Sequence, residues 1–325
     1  MRKINIGVLG CANIARRSLV PAILKLHENF TLQGIASRTS ASADECAAPF
    51  KTKSYAGYQS LLKDEELDAV YIPLPNALHA EWIERALDKN LHVLVEKSLA
   101  CSFQEVQHLN SFARQRQLAL VENFQFRFHR QLSMIRAMVD EDRIGSLRCI
   151  RSSFGFPPFP DRENIRYSKT LGGGALLDAG AYPLKVAQMF LGDYVAVKAA
   201  SMSIDPELQV DLWGGAYLQQ INGPLFAELA FGFDNHYQCN LELWGSKGKI
   251  TATRIFTAPP GYSPEIIVET VDGKETISVE PDHHFKNMLL HFHRLATTGE
   301  GLEAEYKQNI VQARLLEAIK KAANA

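Results

Sequence analysis

The sequence predicts an α/β protein of two domains. Residues 1–121 should form a doubly wound parallel sheet, and residues 122–325 an α+β domain on a large open, mostly antiparallel sheet. Three observations predict this. Apolar strand-like runs alternate with amphipathic stretches as far as Val121, the grammar of consecutive βαβ units. The chain opens with a strand, a small-residue turn and a helix start over Lys3–Ala15, a pattern close to the G-x-G-x-x-G/A dinucleotide fingerprint. Beyond residue 122 the text becomes β-rich and is broken by hairpin turns.

In order, Lys3–Leu9 reads as a buried parallel strand, and Gly10-Cys11-Ala12-Asn13-Ile14-Ala15 as the turn that leads into a helix. Such a turn lets the backbone approach a pyrophosphate, and the helix N-terminus offers that anion free N–H groups and a positive dipole end. Ala12 stands where the second glycine is expected. Thr31–Ser37 is a second strand and Ala41–Phe50 a short helix. Ala69–Leu74 is a strand, His79–Lys89 a helix with Trp82, Ile83, Ala86 and Leu87 on one face, and Leu91–Val95 a strand ending in Glu96-Lys97-Ser98. Phe103–Gln117 is helical and Leu118–Val121 a strand. A ligand should lie outside the carboxyl ends of these strands.

In the second half, Ser146–Phe156 is strand-like, a Pro- and charge-rich loop runs to Lys169, and Gly172-Gly173-Gly174 opens a helix. Asn222-Gly223 and Asp272-Gly273 are strong hairpin turns; Asp234-Asn235 and Ser246-Lys247-Gly248 are weaker ones. Trp213, Tyr217, Phe226, Phe231 and Trp244 either form an apolar face for self-association or fill the core. Phe285–Ala296 is helical, as is Leu302–Ala323, with Tyr306, Ile310, Ala313, Leu316 and Ile319 on one stripe.

Composition narrows the class. The 325 residues are 46% hydrophobic and 22% charged, as in an ordinary globular enzyme, and the formal net charge of −1 leaves no basic footprint for nucleic acid. No apolar run approaches the ~20 residues that span a bilayer. Cys11, Cys46, Cys101, Cys149 and Cys239 lack CxxC or Cys/His spacing, which predicts no metal site, no disulfide framework and a reducing, cytoplasmic compartment. Arg2-Lys3 followed by Val8-Leu9-Gly10-Cys11 mimics a lipoprotein signal, but Asn5 and Gly7 interrupt the short apolar run, and removing it would delete the first strand.

Cofactor choice turns on the end of the second strand. An acid there would hold the ribose 2′-OH of NAD, whereas the chain reads Ala36-Ser37-Arg38-Thr39. Arg38, with Ser37 and Thr39, suits the 2′-phosphate of NADP; the alternative is a solvated arginine at a helix start. Lys97, at the ligand edge, can donate a proton or hold an oxyanion during hydride transfer. Asp178 and Tyr182, four apart, should project from one helix face, and a phenol there can act as an acid.

These motifs resemble the Gfo/Idh/MocA oxidoreductases. The matching stretches are Gly10–Ala15, Leu74-Pro75-Asn76 with His79, Glu96-Lys97, and Gly172 through Pro183, in the family's order. Glu122-Asn123-Phe124, Ile165-Arg166-Tyr167, Gly172–Tyr182 and Arg254 through Pro260 look closest to the NADP-dependent nucleotide-sugar 3-ketoreductases of deoxysugar pathways. The resemblance implies a Rossmann domain, NADP(H) as cofactor, and a second domain whose sheet mediates a homodimer or homotetramer. It implies Lys97 and Tyr182 as the catalytic pair. Gly10, Cys11, Ala12, Asn13, Ile14, Ser37, Arg38, Tyr58, Leu74, Asn76, His79 and Glu96 then line the cofactor, with Arg166 and Asp178 at its nicotinamide end. Tyr237 and Thr257 are substrate contacts, Tyr237 being equally readable as a strand residue packed on its sheet. Ser98 replaces the family's usual proline, which could loosen the lysine turn, and Tyr182 replaces a histidine, which argues against an inositol-type dehydrogenase. The implied substrate is a nucleotide-linked keto-sugar. The rivals are an NADP-dependent aldose or dihydrodiol dehydrogenase, and a non-catalytic NADP-binding regulator.

Overall fold

The computed structural model describes residues 2–324. Its strands and helices run β1 (Ile4–Leu9), α1 (Val20–Lys25), β2 (Phe30–Ser37), α2 (Ser40–Ala47), β3 (Lys53–Ala56), α3 (Tyr58–Leu61), β4 (Ala69–Ile72), α4 (Asn76–Asp88), β5 (His92–Val95), α5 (Phe103–Gln115), β6 (Leu120–Glu122), α6 (Arg130–Asp140), β7 (Leu147–Gly155), α7 (Ala181–Leu191), β8 (Val195–Ile204), β9 (Asp211–Gln220), β10 (Phe226–Gly232), β11 (Gln238–Gly245), β12 (Gly248–Thr253), β13 (Glu265–Thr270), β14 (Gly273–Ser278), α8 (His284–Thr298) and α9 (Leu302–Ala323). Among the described residues, no helix is long and apolar enough to cross a membrane.

The chain divides into two compact units. One holds the residues through Asn123 together with Phe285–Ile310; the other holds Phe124–His284 together with the residues from Val311 onward. The sequence reading placed all of 122–325 in one domain, whereas here Phe285–Ile310 returns to the first unit. Buried polar side chains account for the return. Tyr306 donates its hydroxyl to Leu118 O at 2.5 Å, Asn309 donates to Leu120 O at 3.0 Å, and Asn110 donates to Tyr306 O at 2.6 Å. Each of these satisfies a buried backbone carbonyl, which apolar contacts alone cannot do.

The first unit carries a six-stranded sheet in the order β3-β2-β1-β4-β5-β6, with all neighbours parallel. Its central strands are buried on both faces, which is why Ile4, Ile6, Val8 and Leu9, and Val93, Leu94 and Val95, read as near-continuous apolar runs. Ser102 caps α5 by accepting from Glu105 N–H, and the Glu105 carboxylate answers the Ser102 N–H. The β3 and α3 segment is additional to the sequence reading: β3 is a mostly exposed edge strand and carries no continuous apolar run.

The second unit carries an eight-stranded mixed sheet, β14-β13-β12-β11-β7-β10-β9-β8, whose one parallel pair is β7 with β10. Asn222-Gly223, Asp272-Gly273 and Ser246-Lys247-Gly248 each close an antiparallel pair. Asp234-Asn235 does not, because β7 lies between β10 and β11. The aromatic face expected from sequence is split by strand alternation. Phe231 is 4% exposed and lies under Gly180, where a Cβ would meet its ring at 2.9 Å. Trp213 and Trp244, on the opposite face, are 43% and 50% exposed. There Arg151 pairs with Glu228 and Glu242 and lies over the Trp244 ring.

Several imidazoles are held neutral by burial, which pulls the pKa of His79 and His92 down to about 4 and that of His284 down to about 3. In the unfolded chain they would protonate near 6.5. Between 6.5 and these lower values the unfolded state binds more protons, so stability is complete above pH 6.5 and is lost as pH falls through that window. Each such group contributes a loss of about 1.4 kcal/mol per pH unit. Urea midpoints measured at pH 7.5 and pH 5 should fall, and His284→Asn should flatten the fall by about one proton. Equal midpoints at the two values would contradict this.

Candidate active site

In the first unit the expected cofactor residues collect at the carboxyl ends of the parallel strands. Gly10 follows β1 at φ +130°, and a Cβ there would sit 2.9 Å from Leu74 Cδ2. Only glycine lets this turn pass beneath the Leu74 turn after β4. Its N–H donates to Ala36 O at 3.0 Å, tying the turn to the end of β2. A helical turn begins directly after Ala12, with Arg16 N–H donating to Ala12 O, so the first-turn N–H groups around Asn13 and Ile14 lack intrahelical acceptors. Cys11 pairs as a disulfide with Cys46 of α2, their Cα atoms 6.0 Å apart. Spacing did not reveal this pair, since 35 residues separate the two and only the packing of α2 beside the turn unites them.

At the end of β2, Ser37 is buried and Arg38 exposed, and Thr39 caps α2 by accepting from Ser42 N–H. Burial raises the Tyr58 hydroxyl pKa, the positive charge of Arg38 opposes the rise, and the ring stands edge-on to Trp82 at 5.1 Å. A guanidinium, two hydroxyls and a helix start, with no carboxylate over residues 36–39, fit a dinucleotide bearing a 2′-phosphate. Asn76 is the first residue of α4, next to the Leu74 turn.

Two of the expected cofactor residues, His79 and Glu96, are bonded within the first unit. His79 is fully buried, and its Nδ1 and Nε2 lie 2.8 Å from Ser98 O and Leu74 O. It has no exposed surface and sits between the turn after β4 and the turn after β5, where the neutral ring can donate to one of the two carbonyls. Glu96 accepts from the Tyr71 hydroxyl and the Asn123 carboxamide, each at 2.6 Å. Burial raises its pKa, and these hydrogen bonds and the Lys97 charge oppose the rise. Lys97 follows directly, half-buried. The turn that Ser98 was expected to loosen is held from both sides, by His79 at Ser98 O and by the Glu122 carboxylate, which accepts from Leu99 N–H at 2.8 Å. Sequence reasoning missed Tyr71 and this use of Glu122 and Asn123, although Glu122-Asn123-Phe124 carried part of the resemblance.

In the second unit, Tyr182 lies in α7 and is 9% exposed. Four rings surround it: Phe124, Phe126, Phe154 and Phe256, at centroid distances of 5.6, 5.8, 5.1 and 5.5 Å. Such a site is largely free of water, which strengthens any polar interaction the phenol makes. Asp178 accepts from Arg166 Nε at 2.5 Å, and that guanidinium lies over the Phe159 ring at 4.7 Å. Asp178 falls in a π-helical turn over Leu176–Gly180 rather than in regular α-helix. The Tyr237 hydroxyl meets Thr257 Oγ1 at 2.8 Å, and Thr257 also meets Cys239 Sγ at 3.4 Å. Lys97 belongs to one unit, and Tyr182, Asp178, Arg166, Tyr237 and Thr257 to the other. Among the described residues, no cluster of His, Cys, Asp and Glu could hold a metal ion.

Comparison with known proteins assigns the family. Residues 4–124 match the model described as oxidoreductase family, NAD-binding Rossmann fold, and residues 132–251 match the GFO/IDH/MocA C-terminal domain. The chain is 39% identical to a dTDP-3,4-didehydro-2,6-dideoxy-alpha-D-glucose 3-reductase of Saccharopolyspora spinosa, covering 98% of this chain and 97% of that protein. It is 30% identical to an NADP(+)-dependent D-xylose 1-dehydrogenase of Haloferax volcanii, over 96% and 95% of the two chains. The crystal structure of a 3-ketoreductase from Actinomadura kijaniata, in complex with NADP and TDP-benzene, superposes with a TM-score of 0.95 at 36% identity, covering 99% and 98%. With both domains matched in order and relatives aligned from end to end, this chain belongs to the Gfo/Idh/MocA family of oxidoreductases.

Proposed function

We propose that the protein reduces the C3 carbonyl of a dTDP-linked keto-deoxysugar with NADPH. The observation that carries this reading is Lys97, whose neighbours Glu96, Ser98 and Leu99 are fixed by hydrogen bonds at the sheet edge that also carries the glycine turn and Arg38. The 39% identical reductase and the 3-ketoreductase bound to NADP and TDP-benzene support the substrate class. When bound, NADPH supplies the hydride to the carbonyl carbon. Lys97 meets the charge that develops on the oxygen and gives it a proton; Tyr182 is the second acid of the pair. Glu96 fixes the end of the strand that Lys97 follows, and Arg166 with Asp178 orders the nicotinamide end.

The test is a screen of NADPH oxidation with a freshly generated dTDP-keto-deoxysugar against free xylose as the reverse-direction rival. Turnover only with the nucleotide-linked sugar is expected; xylose oxidation with NADP+ alone would favour the aldose dehydrogenase reading. Lys97→Ala should lower kcat by roughly 10²-fold or more while the NADPH Kd stays within about threefold; unchanged turnover removes the lysine from the chemistry. Arg38→Ala should cut kcat/KM for NADPH by about tenfold or more and leave NADH nearly unchanged. Equal losses for the two cofactors would remove Arg38 from the 2′-phosphate.

We also propose that two or four copies associate through the outer face of the eight-stranded sheet, which leaves Trp213 and Trp244 exposed in the single chain. Sedimentation of the wild type should give a homodimer or homotetramer, and Trp213→Glu with Trp244→Glu a monomer. A monomeric wild type at micromolar concentration would contradict this.

A further inference from the structure

We infer that Arg254 forms, with Tyr237 and Tyr262, an anion-binding clamp for the diphosphate of the substrate; the inference rests on the nucleotide-linked reading above. Arg254 follows β12 with φ at +61°, a conformation that non-glycine residues seldom adopt. The turn is fixed around it. Gln131 Nε2 donates to Ile255 O at 3.3 Å, Ile255 N–H donates to Cys239 O at 3.2 Å, and Phe256 N–H meets Cys239 Sγ at 3.4 Å. The guanidinium is flanked by two rings, with its Cζ 5.5 Å from the Tyr237 centroid and 5.6 Å from that of Tyr262.

Such stacking holds the guanidinium plane without neutralising it. Its Nε is shut off from solvent and has no hydrogen-bond acceptor, and among the described residues no carboxylate pairs with it. Arg151 and Arg166 of the same unit are, by contrast, each paired to carboxylates. Arg254 as a whole is only half-buried, so an anion would meet the unpaired guanidinium from its solvent side rather than at the shut-off Nε. A planar fork of donors matches phosphate oxygens better than any single-point cation would.

Its location fits the chemistry. Two residues on, Phe256 packs its ring 5.5 Å from that of Tyr182, so the guanidinium and the candidate acid flank one short segment. In a nucleotide-linked sugar the diphosphate leaves the anomeric carbon, two ring atoms from a C3 carbonyl. Tyr237 and Tyr262, 36% and 39% exposed, leave the clamp open to an incoming ligand. The Tyr237 hydroxyl is oriented by Thr257 at 2.8 Å, which accounts for both expected substrate contacts as parts of one device.

The test compares dTDP with thymidine, which lacks the diphosphate, by calorimetry on the wild type, Arg254→Gln and Arg254→Lys, with NADP+ binding as the control for folding. Arg254→Gln should weaken dTDP by about tenfold or more, leave thymidine and NADP+ within about twofold, and raise KM for the dTDP-keto-sugar with kcat largely kept. Arg254→Lys should lose a smaller part of the dTDP affinity. Should Arg254→Gln fail to bind NADP+, Arg254→Lys decides alone, and unchanged dTDP affinity in it overturns the inference. Equal dTDP affinity in wild type and Arg254→Gln overturns it too, as does a parallel loss of thymidine. A wild type that binds dTDP through Arg254 yet oxidises no NADPH with the dTDP-keto-sugar upholds the clamp and removes only the catalytic reading.

Discussion

Glu96 is a carboxylate held at the end of a buried parallel strand, and two donors converge on one of its oxygens, the Tyr71 hydroxyl and the Asn123 carboxamide. The next residue is Lys97. Burying an ion is costly unless its lone pairs are satisfied, and here the satisfying groups come from β4, where Tyr71 lies, and from the residue that follows β6. The lysine's place is therefore set by three neighbouring strands rather than by its own turn. His79 and Glu122 finish the work by holding the backbone at Ser98 and Leu99. Loss of Tyr71 or Asn123 would leave the Glu96 carboxyl under-satisfied and loosen the strand end that Lys97 follows.

The second unit uses different physics. Tyr182 is positioned by aromatic packing, with Phe124, Phe126, Phe154 and Phe256 drawn from the start of the unit, from β7 and from the turn after β12. Gly180 allows the π-helical turn to lie against Phe231, bringing the start of α7 onto the sheet. Asp211 accepts from Leu176 N–H at 2.6 Å and so fixes the start of that turn. Polar satisfaction orders one unit's contribution and ring packing orders the other's.

Much of this was legible in the sequence because it is local. Gly10 declares a positive φ, Arg38 declares the charge at the end of β2, and Asn222-Gly223 and Asp272-Gly273 declare their hairpins. Leu302–Ala323 was read to the residue from its apolar stripe. What stayed hidden is non-local. Asp234-Asn235 has the chemistry of a turn, but β7 inserts between its flanking strands. Helix α6 was overlooked because Gln131, a polar residue, is buried in it beside Leu132 and Ile135. The return of Phe285–Ile310 to the first unit depends on Asn110, Tyr306 and Asn309 meeting across nearly 200 positions of chain. The burial of His79 between the carbonyls of Leu74 and Ser98 is non-local too, since it depends on the turns after β4 and β5 meeting.

Transfer of a hydride from NADPH to a sugar carbonyl is the claim on which the functional account rests, and isotope transfer tests it most directly. The protein would be incubated with NADPH deuterated at nicotinamide C4, using each of the two diastereomers in turn, and a freshly generated dTDP-keto-deoxysugar. The product would be read by mass spectrometry and NMR. The account predicts one deuterium bound to the newly formed carbinol carbon C3, from one diastereomer only. A product with no deuterium at that carbon, or NADPH left unoxidised beside intact substrate, would contradict it.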